Sequence, residues 1–407
     1  MLLIYNFGIH VYYFIAIIAS SFNAKAKAWV NGRKEQKVTA FKKSIWFHFA
    51  SLGEFEQGRP VLEAVKAQYP NHPIVVTFFS PSGYEIRKNT PLADGVYYLP
   101  LDTQANALAF IATVNPVAVI FTKYEYWYHY FNQLHQQQVP LYVISAIFRP
   151  QQIFFKWYGT LHRKMLIKAT RLFVQDENSK QLLNTIGITN TLVSGDTRFD
   201  RVYANALHPK ALTLIQTFKN NQPVFIAGST WPADEELIID LIQHHPGWKF
   251  IIAPHEIPEE KISKLISQLP AGKMARYSGI AGLQTPLQNY QVLVIDNIGM
   301  LSSLYQYGEI AYIGGGFGAG IHNTLEAAAF GLPVIFGPNY SRFKEARELL
   351  AAQAGFSIND GAQLLAIANR LITDEPYRKQ AGAIAASFVA QGKGATEVIL
   401  SNIEIKS

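Results

Sequence analysis

The chain has 407 residues, and its 49% hydrophobic and 16% charged residues exclude a disordered or fibrous protein. This length exceeds one ordinary domain and indicates two or three. A formal net charge of +7 at first suggests nucleic acid, but residues 1–50 hold seven Lys and Arg against one Glu, so the rest is close to neutral. There is no cysteine, which excludes disulfides, thiolate nucleophiles and Cys-based metal sites and is compatible with a reducing compartment.

The chain opens on an apolar segment, residues 1–24, that carries no charged side chain. A helix of about 20 residues spans the hydrocarbon layer. The basic residues follow this segment, whereas a cleavable signal peptide carries them before it, so we expect an uncleaved membrane anchor with the globular body in the cytoplasm. Because Asn6 and His10 interrupt the segment, a helix lying in the membrane plane is an alternative. A buried first helix of a soluble domain is a second alternative.

The basic cluster directly follows the anchor and suits anionic lipid headgroups. We therefore interpret the positive charge as an electrostatic foothold on a membrane, and expect no nucleic-acid partner. The cluster consists of Lys25, Lys27, Arg33, Lys34, Lys37, Lys42 and Lys43.

Beyond the anchor, short β-rich apolar runs alternate with helix-like segments, which is typical of parallel sheets covered by helices on both faces. The first series predicts strands at 44–50, 74–79, 96–101, 118–122, 141–146, 172–175 and 191–194, with helices such as 55–67, 104–113 and 127–137. The second predicts strands at 224–227, 250–253, 292–295, 310–313 and 333–336, helices at 234–244, 258–269, 323–330 and 343–352, and a helical tail from 361.

The more polar region 205–223 separates the two series, so we place a boundary near residue 210. The predicted organisation is an anchor over 1–24 and two doubly wound α/β domains over 25–210 and 211–407. Two such domains in tandem bind ligands at the carboxyl ends of their strands, and we expect a cleft between them.

The most informative segment, residues 310–338, runs from a strand through five glycines into a predicted helix near Asn323. Glycines let backbone N–H groups approach a ligand closely, and a helix N-terminus favours anions. Glu326, in that helix, can accept hydrogen bonds from a ribose diol. The segment is neither a Walker loop nor a regular GxGxxG motif. A flexible loop without a ligand is the alternative.

A second segment ends a strand at Ala50 and begins a helix near Glu54. A carboxylate at the carboxyl edge of a sheet can serve as a catalytic base, but a Glu at a helix N-terminus also favourably meets the helix dipole without any function. The residues alone leave these interpretations equal. Glu125 and Arg198 follow two other predicted strands in the same way. The sequence His255-Glu-Ile-Pro-Glu259 resembles a zinc helix only superficially, since Pro258 interrupts it, and we reject a metal site there.

Taken in order, these segments resemble the Kdo transferase family, membrane-anchored GT-B glycosyltransferases that move 3-deoxy-D-manno-octulosonic acid (Kdo) from CMP-Kdo onto the lipid A precursor. Ala50-Ser-Leu-Gly-Glu54 is similar to the family's Ser-Val-Gly-Glu motif, and His322-Asn-Thr-Leu-Glu326 is similar to its His-Asn-Pro-Leu-Glu motif. Pro254-His255 resembles the family's Pro-Arg pair, and Ile298-Gly-Met300 resembles its Met-Gly-Glu segment. The resemblance extends from the anchor to about residue 350.

The resemblance implies a GT-B fold and an inverting transfer in which Glu54 is the catalytic base. It further implies that Glu125 and Arg198 stabilise the transition state, with Arg198 where the family's Gly-Asn-Leu-Lys-Phe-Asp motif has Lys. Neither a metal nor another cofactor is expected. The donor-binding residues it implies are Pro254, His255, Ile298, Gly299, Met300, Gly315, Gly316, His322, Asn323, Thr324, Leu325 and Glu326.

The expected partners are CMP-Kdo, the lipid A precursor and anionic lipids of the bacterial inner membrane, with the enzyme on its cytoplasmic face. Two alternatives remain open. One is another membrane-associated GT-B enzyme that uses a UDP-sugar, which the early Glu motif disfavours. The other is a non-catalytic membrane-bound scaffold, which the replacements at His255 and Met300 keep open.

Overall fold

A computed structural model describes residues 1–405 and divides the chain into two compact units. The first unit contains residues 1–201 together with the segment from Gly392 onward, and the second contains Val202–Gln391. Each unit is built around one seven-stranded parallel sheet. The predicted α/β class, with two doubly wound domains, is therefore confirmed.

The first unit has the strand order β3-β2-β1-β4-β5-β6-β7. Its central strands are buried along nearly their whole length, as expected for a parallel sheet covered on both faces, whereas the two edge strands are only partly buried. They are β1 (Ser44–Phe49), β2 (Ile74–Phe78), β3 (Gly95–Tyr98), β4 (Pro116–Thr122), β5 (Leu141–Ala146), β6 (Arg171–Val174) and β7 (Thr191–Val193).

Helices connect these strands and cover both faces of the sheet. They are α1 (Leu2–Ala19), α2 (Ala24–Glu35), α3 (Leu52–Gln68), α4 (Pro81–Arg87), α5 (Gln104–Val114), α6 (Tyr128–Gln136), α7 (Thr160–Lys168), α8 (Glu177–Asn184) and α9 (Thr197–Leu207). Helices α5 to α8 contribute to one apolar core, and α3 contributes to the core on the opposite face. Side chains alternate along each strand, so one strand feeds both cores.

The second unit repeats this plan with the strand order β10-β11-β9-β8-β12-β13-β14. The strands are β8 (Val224–Thr230), β9 (Lys249–Pro254), β10 (Met274–Arg276), β11 (Val292–Val294), β12 (Ile310–Ile313), β13 (Val334–Phe336) and β14 (Gly355–Ser357). The sequence predicts five of these strands and misses the two edge strands, β10 and β14.

The helices of the second unit supply the apolar side chains that cover its sheet. They are α10 (Thr213–Lys219), α11 (Pro232–His244), α12 (Glu259–Gln268), α13 (Leu301–Leu304), α14 (Leu325–Ala329), α15 (Lys344–Ala351), α16 (Gly361–Thr373) and α17 (Glu375–Gly392). Short 3-10 helices lie at Ile153–Phe155, Tyr277–Gly282, Leu287–Asn289 and Tyr305–Tyr307.

The last helix, α18 (Ala395–Leu400), returns to the first unit and packs against α3. The Asp200 carboxylate holds it there by accepting hydrogen bonds from the backbone N–H groups of Gly394 and Thr396 and from the Thr396 hydroxyl. The first unit therefore includes a C-terminal segment that a division at residue 210 leaves with the second.

Helix α1 is long and apolar enough to cross a membrane, and none of its side chains is fully buried. One side contacts the first unit, where the Tyr5 hydroxyl donates to the Asp102 carboxylate (2.5 Å) and Asn6 Oδ1 lies 2.7 Å from His129 Nε2. The other side is an exposed apolar stripe. It is formed by Leu3, Ile4, Phe7, Val11, Phe14, Ile15 and Ile18.

The basic cluster divides into two kinds of residue. Its six lysines are exposed, whereas Arg33 lies 3.8 Å from the ring centroid of Trp29 and donates to the carbonyl oxygens of Leu99 and Phe79. Arg33 is thus part of the packing between α2 and the sheet. Of the cluster that the sequence assigns to lipid headgroups, Arg33 is therefore committed to contacts within the protein.

Candidate functional site

The candidate residues of the first unit lie where its parallel strands end. In the registered sheet, His48 of β1 pairs with Thr77 of β2 and with Phe121 of β4. Because parallel strands end at one edge, the loops after β1 and β4 come together there. These loops carry Glu54 and Glu125.

Glu54 lies in the first turn of α3, at the third position after the N-cap Ser51. One carboxylate oxygen, Oε2, accepts a hydrogen bond of 2.6 Å from the backbone N–H of Ala50. Within residues 1–405, no hydrogen bond reaches Oε1. The side chain is therefore compatible with both interpretations of the sequence. One oxygen stabilises the start of the helix, and the other is available to a substrate.

The Glu54 carboxyl has a perturbed acidity. Burial raises its pKa, and the negative charge of Glu125 raises it further, while the Ala50 N–H and Lys123 oppose the shift; the result is a pKa of about 7. A carboxylate with this pKa is partly ionised near neutral pH and accepts a proton more readily than an ordinary one.

Glu125 is held by two ring N–H donors. Its Oε2 atom lies 3.0 Å from His48 Nε2 and accepts a bond of 2.9 Å from Trp127 Nε1. The turn that brings it there begins at Lys123, whose φ of +64° is a left-handed conformation rarely adopted outside Gly, Asn and Asp. His48 itself is fully buried. Sequence reasoning missed His48, although an imidazole in the mainly apolar strand Ser-Ile-Trp-Phe-His-Phe is a signal that could have found it.

Arg198 is fixed by Asp196, a second residue that sequence reasoning missed. Arg198 NH2 lies 2.7 Å from Asp196 Oδ2, and its Nε and backbone N–H donate to the same carboxylate. Burial alone would raise the pKa of Asp196, but Arg198 lowers it below the usual value, so the carboxylate is ionised. Asp196 stands where the resembling family motif has Asn. This chain therefore has Asp196 and Arg198 where the motif has Asn and Lys, and the two replacing residues form an ion pair with each other.

In the second unit, four of the five glycines in the loop after β12 already donate their N–H groups to other protein atoms. The N–H groups of Gly314 and Gly315 donate to Gly228 O and to Asp234 Oδ2, and those of Gly318 and Gly320 donate to Gly315 O. These amides hold the loop in shape. The prediction that the glycines as a group bind an anion is therefore too broad.

Gly316 is the exception among these glycines. The residue is buried, and its N–H has no acceptor among the residues that the structure describes. A Cβ atom at this position would lie 2.6 Å from the backbone of Gly337, so only glycine fits. A buried backbone donor without a partner carries a free-energy penalty that a ligand can remove. Gly316 is thus the loop amide best suited to an anion.

Three stacked rings lie beside this loop. Trp231 Nε1 donates to His322 Nε2 (3.1 Å), and the His255 ring stacks on His322 with centroids 4.2 Å apart. Burial lowers the pKa of His322 to about 4, with a further contribution from His255, so His322 is neutral near pH 7. Because its Nε2 atom accepts from Trp231, the proton of the neutral ring resides on Nδ1. His322 therefore offers an N–H donor without carrying charge.

The segment Asn323-Thr-Leu-Glu326 leads into α14, which has only five residues and begins at Leu325 rather than near Asn323. Asn323 Oδ1 accepts from the backbone N–H of Leu325, and its amide donates to Glu326 Oε1. Leu325 is buried. Thr324 is also fully buried, and its hydroxyl has no partner among the described residues. The resembling motif has Pro at this position, which needs none.

The other predicted donor-binding residues follow strands of the same sheet. Pro254 ends β9, and the segment Ile298-Gly-Met300 lies between β11 and α13. Ile298 is 86% exposed. Arg342, which sequence reasoning missed, donates from its guanidinium to the carbonyl oxygen of Ala319 in the glycine loop. It brings a cation to this loop, and its position after β13 is the signal that could have found it.

Comparison with known proteins agrees with the resemblance. Residues 22–201 match the family described as 3-deoxy-D-manno-octulosonic-acid transferase (kdotransferase). A 3-deoxy-D-manno-octulosonic acid transferase of Haemophilus influenzae is 27% identical over 370 residues, 88% of this chain and 85% of the relative. One of Aquifex aeolicus is 26% identical over 340 residues, 82% of this chain and 87% of the relative. The predicted resemblance to this family is confirmed.

Solved structures are similar in fold. A UDP-GlcNAc 2-epimerase of Neisseria meningitidis bound to UDP-GlcNAc has a TM-score of 0.63 at 16% identity and covers 89% of this chain and 99% of its own. A putative UDP-N-acetylglucosamine 2-epimerase of Listeria monocytogenes has a TM-score of 0.58 at 14% identity, covering 88% and 95%. At these identities the likeness shows the fold alone, and it confirms the GT-B class.

Proposed function

We propose that this chain, a glycosyltransferase of the Kdo transferase type, transfers Kdo from CMP-Kdo to the lipid A precursor in lipopolysaccharide biosynthesis. The observation that carries the proposal is the pair of carboxylates at the end of the first sheet. Glu54 has a raised pKa and an oxygen without a hydrogen bond among the described residues, and Glu125 is held beside it by two donors. That arrangement suits removal of a proton from a hydroxyl near neutral pH.

In the proposed reaction, Glu54 takes the proton of an acceptor hydroxyl as its oxygen attacks the anomeric carbon of Kdo. The bond from that carbon to the CMP phosphate oxygen breaks with its electron pair, and the configuration inverts. Positive charge develops on the sugar during this step, and the Glu125 carboxylate can stabilise it. Arg198, fixed by Asp196, supplies a positive charge that suits the sugar carboxylate or the departing phosphate.

We assign the donor to the second unit. The Gly316 N–H and the Nδ1–H of neutral His322 supply donors for the single phosphate of CMP, and Arg342 adds a nearby cation. Glu326 retains its proposed role toward the ribose. Pro254, His255 and the segment Ile298-Gly-Met300 remain proposed contacts at neighbouring strand ends. The proposed chemistry needs no metal, so transfer should be undiminished after treatment with EDTA.

We further propose that the enzyme works at the cytoplasmic face of the bacterial inner membrane. The exposed apolar stripe of α1 and the exposed lysines that follow it support this location. Both features suit an acceptor that is itself an anionic lipid. The chain has no proposed role toward nucleic acid.

Transfer is tested by incubating the purified full chain with CMP-Kdo and a tetraacylated lipid A precursor and recording the product by mass spectrometry. We expect an added Kdo mass that depends on CMP-Kdo. No added mass would overturn the proposal and would favour the scaffold. Thermal stabilisation by CMP compared with UDP tests the donor, and a preference for UDP would favour the enzyme that uses a UDP-sugar.

A further inference from the structure

We propose that Trp46, Thr77 and His48 form a buried polar chain that holds Glu125 ionised beside Glu54, so that His48 is a positioning residue for the catalytic base. The inference rests on the proposed function, since it explains how the base of that reaction is prepared. It concerns residues for which the sequence resemblance supplied no role.

The polar chain is continuous and enclosed. Trp46 Nε1 donates to Thr77 Oγ1 at 2.8 Å, Thr77 Oγ1 lies 2.9 Å from His48 Nδ1, and His48 Nε2 lies 3.0 Å from Glu125 Oε2. Trp46, Thr77 and His48 are fully buried. The polar chain connects residues of two neighbouring strands, β1 and β2, and ends at Glu125 on the loop after β4.

The direction of the hydrogen bonds follows from the chemistry of the end members. The Trp46 indole can only donate, so it occupies a lone pair of the Thr77 oxygen. A neutral His48 that donated from Nδ1 would direct the bare lone pair of Nε2 at the Glu125 carboxylate, which is repulsive at 3.0 Å. The Thr77 hydroxyl has two acceptors within reach, His48 Nδ1 at 2.9 Å and the carbonyl oxygen of Phe47 at 3.4 Å. Donation to the nearer Nδ1 leaves the Nε2–H of His48 to donate to Glu125.

This arrangement favours the charged form of Glu125. Its Oε2 atom accepts from His48 on one side and from Trp127 on the other, and donors to a carboxylate stabilise its ionised state. The other ionisable groups that interact with this carboxyl pair are Lys123, Tyr124 and Tyr126. Arg149, Asp196 and Arg198 act on Tyr124 in turn.

An ionised Glu125 has a consequence for Glu54. Two neighbouring carboxyls titrate as a coupled pair, and the state with both ionised forms only above the higher of their two macroscopic pKa values. Removing the His48 donor withdraws a hydrogen bond that stabilises the negative charge of Glu125, so the state with both carboxyls ionised requires a higher pH. The acid limb of the rate profile therefore reports on His48, which does not itself contact substrate in this proposal.

The test compares His48→Leu, which removes the donor, with His48→Gln, whose side-chain amide can donate to Glu125. Transfer is measured as kcat/KM against pH, with folding checked by circular dichroism. For His48→Leu we expect the acid limb to move at least half a pH unit upward, which lowers kcat/KM at pH 7 at least about two-fold. His48→Gln should keep the wild-type limb. A uniform loss of activity with an unmoved limb would overturn the proposal.

A second measurement needs no transfer activity. In 15N-labelled protein, the imidazole nitrogen shifts of His48 should report a proton on Nε2 and none on Nδ1. The Nδ1–H tautomer or an imidazolium would overturn the proposal even if Kdo transfer is confirmed. If the wild-type chain fails to transfer Kdo while His48 shows the Nε2–H tautomer, the proposed function fails and the polar chain stands. This measurement also decides the matter if His48→Leu does not fold.

Discussion

The carboxyl-terminal edges of the two sheets differ in the groups that determine their electrostatics. The edge of the first unit concentrates ionisable side chains, with Glu54 and Glu125 as neighbouring carboxyls and Asp196 paired with Arg198. The edge of the second unit next to β12 presents mainly backbone, including the Gly316 amide, together with a His322 ring that stays uncharged near pH 7 and one cation, Arg342. Under the proposed function, the groups that move protons and balance charge are side chains of the first unit, whereas the donor phosphate is held mainly by backbone of the second.

Removing the base should have the largest effect. We expect Glu54→Gln to lower kcat by about 10²- to 10⁴-fold, the usual contribution of general base catalysis, because the amide can still accept from Ala50 but cannot take a proton. Glu63→Gln, in the same helix but partly exposed and paired with Arg59, is the matched control and should retain wild-type rates. Comparable rates in the two variants would remove Glu54 from the chemistry.

Crowding the backbone cradle should act on the donor instead. Gly316→Ala places a Cβ 2.6 Å from Gly337, and displacement of the loop by about 1 Å is expected to weaken use of CMP-Kdo by about 100-fold in kcat/KM. Gly318→Ala is the control, since its nearest neighbour would lie 3.7 Å away. Steady-state kinetics with varied CMP-Kdo distinguish the two. Equal effects would show that Gly316 has no special part in donor binding.

The charge balance of the first edge predicts a pH profile. Because Glu54 has a pKa of about 7 and must be ionised to act, kcat/KM should rise about ten-fold per pH unit below 7 and level off above it. Glu125→Gln removes the neighbouring negative charge, so the limb should move to lower pH, opposite to His48→Leu. An unmoved limb in Glu125→Gln would show that the two carboxyls are not coupled.

The ion pair at Arg198 should make a smaller contribution. Asp196→Asn weakens the charge-assisted bonds to Arg198, and we expect about a ten-fold lower kcat, equivalent to about 1.4 kcal/mol. The double variant Asp196→Asn with Arg198→Lys restores the pair found in the resembling motif and should regain part of the loss. Strictly additive losses in this double-mutant cycle would contradict the coupling.

The smallest expected effect lies in the second unit and concerns stability alone. Thr324→Val replaces a buried hydroxyl without a partner and should raise the free energy of unfolding by about 1 kcal/mol. Thr230→Val is the contrasting variant, because that buried hydroxyl donates to Glu235 and its loss should destabilise by a similar amount. Denaturant titrations measure both, and equal signs would refute the explanation.

Much of the fold follows from the sequence because buried parallel strands appear as apolar β-rich runs. The strands at 141–146 and 310–313 agree with the structure residue for residue. Strands β10 and β14 are three-residue edge strands, Met-Ala-Arg and Gly-Phe-Ser, whose composition carries no strand signal and whose conformation comes from pairing with a neighbour. The return of α18 depends on Asp200, a contact about two hundred residues distant in sequence that no local pattern reveals.

The candidate site, like the fold, contains residues that the sequence predicts and residues that it does not. Glu54, Glu125 and Arg198 are visible in the sequence because they follow strands that end at a common edge. Their partners His48, Thr77 and Asp196 are not, because a buried polar residue becomes meaningful only when its hydrogen-bond partner is known. Arg33 is an example in the opposite direction. The sequence suggests a surface cation, but in the structure its guanidinium donates to two backbone carbonyl oxygens.

The division of labour between the two edges is tested most directly by measuring donor binding and Kdo transfer in the same preparation of Glu54→Gln. Calorimetry gives the affinity for CMP, and mass spectrometry follows addition of Kdo to the tetraacylated lipid A precursor. We predict a CMP affinity equal to that of the wild-type chain together with transfer reduced by at least about 10²-fold. Undiminished transfer, or a loss of CMP binding that accounts for the loss of transfer, would contradict the account.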